Sequence, residues 1–154
     1  MDKINKILCD IRKLSPSAFL SGSYRFKRNN PKSDVDIVVI ICDVSNIQAK
    51  LDENFKPIKK SHYNDGFKFC LNGYEVNIIP LHPVEFICWY KTAQMIDVIV
   101  NDVKSMSRQQ FHAFHQILLA SVKLAISHRI INSKNYLQFI DSENILFEDD
   151  DIFA

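Results

Sequence analysis

Glycine is scarce in this chain. Three occur among 154 residues, at positions 22, 66 and 73, beside five prolines. So small a supply excludes glycine-rich linkers and the low-complexity segments that stay unfolded. It also makes each glycine informative, because each falls where a sharp turn is expected. Long apolar runs are absent as well: the longest, Ile37 to Cys42, is far shorter than a membrane helix requires. The N-terminal stretch MDKINKILCDIRKL is charged throughout and has no secretory-signal pattern. Cys9, Cys42, Cys70 and Cys88 show no paired spacing, which argues against a disulfide framework and against a zinc site. They read as reduced core cysteines, and the chain as a soluble cytoplasmic protein with no membrane partner.

Neither sign of charge dominates, since the formal net charge is +1. The distribution is uneven all the same. Residues 1–60 hold twelve Lys and Arg against seven Asp and Glu, whereas residues 61–154 hold seven against eleven. A basic first half favours an anionic substrate there, a polyphosphate or a nucleic acid.

What that half contains is Ser21-Gly22-Ser23 and, after ten intervening residues, Asp34-Val35-Asp36 at the mouth of the apolar run. Residues two apart on a strand face the same side, so Asp34 and Asp36 point at one place. Like charges that close raise each other's pKa unless a cation lies between them, and a divalent metal is the usual answer. The Gly-Ser turn leaves amides and a hydroxyl to meet an anion. Hard oxygen ligands beside a phosphate-sized site suggest a magnesium-nucleotide enzyme.

Periodicity supplies the frame. Ile4, Ile7, Leu8, Ile11 and Leu14 predict an amphipathic helix over 2–14, stopped before Pro16. Residues 18–20 read as a brief strand, 24–33 as a helical turn and loop, and 34–42 as the central buried strand. Ser45 caps a short helix to Glu53; strands follow at 56–63, 67–71 and 74–80, divided by the turn dipeptides Asp65-Gly66 and Asn72-Gly73. Pro83 starts a helix to about Val100, and Ser107-Arg108-Gln109-Gln110 is a capping box for a second, from 108 to about 130. A last helix is expected over 133–140. The fold class is α+β: a small mixed or antiparallel sheet with an N-terminal helix and a helical C-terminal half. Residues 1–82 form the core, 83–147 the helical part of the same domain, and 148–154 a solvated acidic tail.

The segment SGSYRFKRNNPKSDVDIVV resembles the signature of the DNA polymerase β-like nucleotidyltransferase superfamily, closely over residues 18–42 and more loosely to about 80. The resemblance implies that Gly22 and Ser23 hold the β- and γ-phosphates of a nucleoside triphosphate. It implies that Asp34 and Asp36 coordinate two magnesium ions, with manganese as a substitute. Arg25 and Lys27 would neutralise the leaving pyrophosphate, Arg25 through its two-pronged guanidinium. The reaction would move a nucleotidyl group to an acceptor hydroxyl on a small molecule, an RNA end or a protein side chain. A third carboxylate is expected from a neighbouring strand, and Tyr74-Glu75-Val76-Asn77 offers two positions. Glu75 fits as an acid flanked by apolar residues; a register set by Pro80 would instead place Asn77 there. The two share a face, so periodicity does not choose between them. Glu75 is favoured as catalytic residue and metal ligand, with Asn77 as its neighbour.

Other candidates carry less. His112 and His115 are three apart on a helix without an acid or cysteine to complete a metal site. Trp89, Tyr90 and Met95 read as core, and Thr92 as a residue that could approach the nucleotide. His62 and His82 read as neutral loop residues. The leading expectation is a magnesium-dependent nucleotidyltransferase. Against it stands a non-catalytic family member that binds nucleotide or a partner, such as an antitoxin paired with a ribonuclease toxin, with Asn77 as its motive. A nucleic-acid-binding module on the basic 25–32 segment has little aromatic support.

Overall fold

A computed structural model describes residues 2–54, 59–60 and 66–128. Met1–His82 and Pro83–Ala154 form two compact units.

The first unit begins with α1 (Asp2–Arg12). Its buried residues Ile4, Ile7, Leu8 and Ile11 recur at helical spacing and line one stripe. Strand β1 (Phe19–Ser21) leads into a single helical turn, α2 (Gly22–Arg25). The helical turn starts two residues earlier than expected, directly at Gly22. Strand β2 (Val35–Ile40) follows, then a 3-10 turn over Ile41–Asp43 and helix α3 (Val44–Asn54). The strand is therefore shorter than the apolar run suggests. The turn that ends it is anchored by Ser15, whose hydroxyl donates to Asp43 Oδ2 at 2.7 Å.

Strand β3 (Lys59–Lys60) pairs with β4 (Phe67–Leu71), which pairs antiparallel with β5 (Tyr74–Leu81). Asn72 and Gly73 make the two-residue connection, with φ of 52° and 84°. Positive φ at both central residues is what a type I′ turn demands and what Asn-Gly supplies most easily. The Asp65-Gly66 turn and most of the expected 56–63 strand lie outside the described residues, as do the expected helix over 133–140 and the acidic tail.

The sheet order is β1-β2-β5-β4-β3. All its neighbours are antiparallel except β2 and β5, which are parallel, so the sheet is mixed. One face carries Val35, Ile37, Val39, Phe67, Phe69, Val76 and Ile78, which form a single core cluster with the apolar stripe of α1 and with Ile47 and Leu51 of α3. The other face buries Phe19, Val38 and Ile79 completely or nearly so. A strand buried on both faces reads as an unbroken apolar run, which explains Ile37 to Ile40.

The second unit contains α4 (Pro83–Val98), the short α5 (Val100–Val103) and α6 (Arg108–Ser127). The capping box is present: Ser107 Oγ accepts from the Gln110 amide at 3.1 Å, and Gln110 Oε1 accepts from the Ser107 amide at 2.9 Å. Helices α4 and α6 contact each other. His115 of α6 stands edge-on to Trp89 of α4, 4.9 Å between ring centroids, and stacks near Phe111. Burial lowers its pKa to about 4, helped by His112, so it is a neutral aromatic partner at physiological pH. Among the described residues no helix is long and apolar enough to cross a membrane.

Candidate active site

Register decides which polar side chains meet. Asp36 lies opposite Ser21 of β1 and beside Asn77 of β5, and Asn77 lies opposite Lys68 of β4. Directly paired residues share a face of the sheet, so four strands contribute one polar row: Ser21, Asp36, Asn77 and Lys68. Asp34 and Glu75 each precede a member of the row by two residues and point to the same face at the strand entrances.

Contacts join these side chains. Asn77 Nδ2 donates to Asp36 Oδ1 at 2.9 Å. Lys68 Nζ donates to Asp34 Oδ2 at 2.9 Å and lies 3.9 Å from Glu75 Oε1. Asp34 and Lys68 are part-buried, with side chains 29% and 21% exposed, while Glu75 is 49% exposed; the Asp34–Lys68 bond is thus the firmer of the two lysine contacts. That hydrogen bond, more than any other cause, raises the Lys68 pKa above its ordinary value. Burial lifts the Asp36 carboxyl from 3.8 to about 6; the charge of Asp34 adds to the rise, while the Asn77 hydrogen bond and Lys68 oppose it. A carboxyl so displaced is a group held ready for a cation or a proton.

Gly22 is required twice over. Its φ is +66°, in the left-handed region, and a Cβ added there would run into the Asp36 carboxylate, 2.9 Å from its Cγ even before the nearer oxygen is counted. The absence of a side chain at 22 is what lets the Gly-Ser turn lie against Asp36. Ser23 follows in α2, and its carbonyl accepts from the Arg28 amide at 2.8 Å. With Lys27 at φ 56° this closes the short helix in a Schellman-type end, a place where glycine is usual and lysine is not.

Arg25 curls back. Its Nη1 donates to the Leu20 carbonyl at 2.8 Å and its guanidinium carbon lies 5.8 Å from the centre of the Phe19 ring, so it braces the turn between β1 and α2. Lys27 is exposed in the following loop. That loop is pinned by Asn30 and Ser33: Ser33 Oγ accepts from the Asn30 amide at 2.9 Å and Asn30 Oδ1 from the Lys32 amide at 2.8 Å. The pinned loop delivers the chain to Asp34.

Asn77 adds a donor set suited to a metal. It is 3% exposed, and its Oδ1 is buried without a hydrogen-bond partner. An orphaned amide oxygen on the side chain that bonds Asp36 adds a hard donor to the Asp34 and Asp36 carboxylates, the kind that magnesium or calcium takes. Among the described residues no three His, Cys, Asp or Glu side chains gather closely enough to hold a metal by themselves. The residue that sequence reasoning overlooked is Lys68. A signal for it existed: the two-residue Asn72-Gly73 turn pairs Leu71 with Tyr74, and counting outward from that pair sets Lys68 against Asn77.

A family model described as the nucleotidyltransferase domain matches residues 1–102. That span includes the whole sheet, the Gly-Ser turn and every member of the polar row. No curated protein and no solved structure matches the chain significantly.

Proposed function

The chain belongs to the nucleotidyltransferase domain family, and from that premise we propose that it transfers a nucleotidyl group from a nucleoside triphosphate to an acceptor hydroxyl. The observation that carries this reading is the close approach of Gly22 to the Asp36 carboxylate. It sets a turn of the kind that receives phosphates directly against a carboxylate of the kind that holds a phosphate-bound cation.

In this reading Gly22 and Ser23 bind the triphosphate through amides and the Ser23 hydroxyl. Asp34, Asp36 and the Asn77 Oδ1 hold a divalent cation, magnesium or manganese. When bound, that ion offsets triphosphate charge and acidifies the acceptor hydroxyl. Glu75, half-exposed at the entrance of β5, takes the acceptor's proton. The acceptor oxygen bonds to the α-phosphorus as the bond from that phosphorus to the bridging oxygen breaks, and pyrophosphate leaves with the electron pair. Lys27 and the Arg25 guanidinium balance the charge that leaves.

A second reading has its own observation. Asn77, rather than an acid, is the register partner of Asp36, and its amide already satisfies one carboxylate oxygen. This favours a family member that binds nucleotide or a protein partner without transferring anything, an antitoxin among the cases. Labelled triphosphates with magnesium and with RNA, protein or small-molecule acceptors separate the two. The transfer reading expects label on one acceptor class, and expects Glu75→Gln to abolish labelling while leaving triphosphate binding in place. Magnesium-dependent triphosphate binding with no labelled product on any acceptor favours the binding reading. The absence of both overturns the transfer proposal.

A further inference from the structure

We infer that Lys68 holds the place of a second cation in the transfer site proposed above, so that the acid cluster itself takes a single divalent ion. The inference rests on that reading and concerns only how the cluster is neutralised.

Charge gives the first reason. Ionised Asp34, Asp36 and Glu75 carry three negative charges, and the Lys68 ammonium, 2.9 Å from Asp34 and 3.9 Å from Glu75, returns one. The remainder equals the charge of one divalent ion. Two such ions would leave the pocket positive before any nucleotide arrives, at part-buried groups where mutual repulsion is weakly screened.

Donor geometry gives the second. Lys68 engages Asp34 Oδ2, and the Asn77 amide engages Asp36 Oδ1. What the cluster still presents is Asp34 Oδ1, Asp36 Oδ2 and the buried, partnerless Asn77 Oδ1. These three oxygens are the hard donors that would hold one magnesium, with water completing its coordination. A second ion would need a further carboxylate beside Asp36, and the register partner there is an amide. The sheet reinforces the arrangement: Lys68 stands opposite Asn77, so the strand that supplies the amide is paired with the strand that supplies the ammonium. Lys68 is accordingly a positioning residue that steadies Asp34 and Glu75 before the ion binds.

Manganese binding to the full chain without nucleotide, read from the free-ion signal by electron paramagnetic resonance, tests this. The wild-type protein is expected to bind one ion. Lys68→Met is expected to bind a second ion, or to bind the first at least about tenfold more tightly, because an opposing charge about one ion-pair distance away has gone. Lys68→Arg, which keeps the charge, is expected to return to wild-type behaviour. Two ions on the wild-type protein, or Lys68→Met binding one ion with unchanged affinity, overturns the inference and leaves nucleotidyl transfer standing. No manganese on either protein overturns it together with the assignment of a metal to Asp34 and Asp36. Should Lys68→Met fail to fold, as judged by circular dichroism, the wild-type stoichiometry decides alone.

Discussion

Asp36→Asn should make the protein more stable at neutral pH, although it removes the residue most central to the site. Burial raises the Asp36 carboxyl from 3.8 to about 6. Between those values the folded state binds a proton that the unfolded state has lost, so the favourable contribution of the protonated carboxyl is complete below about pH 4 and disappears as pH rises through 6. At 1.36 kcal/mol per pKa unit, folding with the charged carboxylate in place costs about 3 kcal/mol above that window. Asparagine keeps an oxygen for the Asn77 amide but brings an amide of its own that must find a partner. The expected net gain is therefore about 1 to 3 kcal/mol at pH 7.5, and it falls by about 2 kcal/mol at pH 4, where Asp36→Asn is no more stable than wild type or slightly less so. Urea unfolding followed by circular dichroism at the two pH values measures it. An Asp36→Asn protein less stable than wild type at pH 7.5, or one whose difference from wild type does not change with pH, refutes the reasoning.

His115 should show the opposite slope. Its pKa falls from 6.5 to about 4, so its contribution is complete above 6.5 and is lost as pH falls toward 4; His115→Phe should lose less stability than wild type over that interval, as read from melting curves at both ends. Gly22→Ala combines a left-handed backbone with a collision against the Asp36 carboxylate, and should destabilise by about 2 to 4 kcal/mol and abolish triphosphate binding, seen in urea melts and calorimetric titration. Ser107→Ala removes half of the reciprocal cap on α6 and should cost about 1 kcal/mol in the same melts. Asn77→Asp exchanges the amide donor to Asp36 for a fourth carboxylate in the cluster; the metal-free protein should melt lower than wild type, and manganese should recover more stability for the variant than for wild type.

Much of the frame was legible because its signals are local. The apolar stripe of α1, the positive-φ Asn72-Gly73 turn and the Ser107 cap each depend on residues within one or two turns of chain. The β4–β5 register follows from the hairpin, which carried the signal for Lys68 that the sequence reading overlooked. The β2–β5 register was not legible, since parallel strands are joined by a long crossover and no tight turn fixes their pairing. That pairing is what sets Asn77 beside Asp36 and leaves Glu75 at the strand entrance, a choice that alternation alone left open. The contact that Arg25 makes was not legible for a similar reason: its charge suggests a phosphate ligand, and its bond to the Leu20 carbonyl arises from the tight β1–α2 turn. The end of β2 at Ile40 was hidden by Ile41 and Cys42, which continue the apolar run but enter a 3-10 turn held by Ser15.

The claim that the Gly22–Ser23 turn and the Asp34–Asp36 pair form one nucleotide site meets its most direct test in calorimetric titration of a non-hydrolysable nucleoside triphosphate. Wild type and Asp36→Asn are compared with and without manganese. The account predicts binding by wild type that requires manganese and is lost in Asp36→Asn. Binding that is indifferent to manganese, or equally strong in Asp36→Asn, contradicts it.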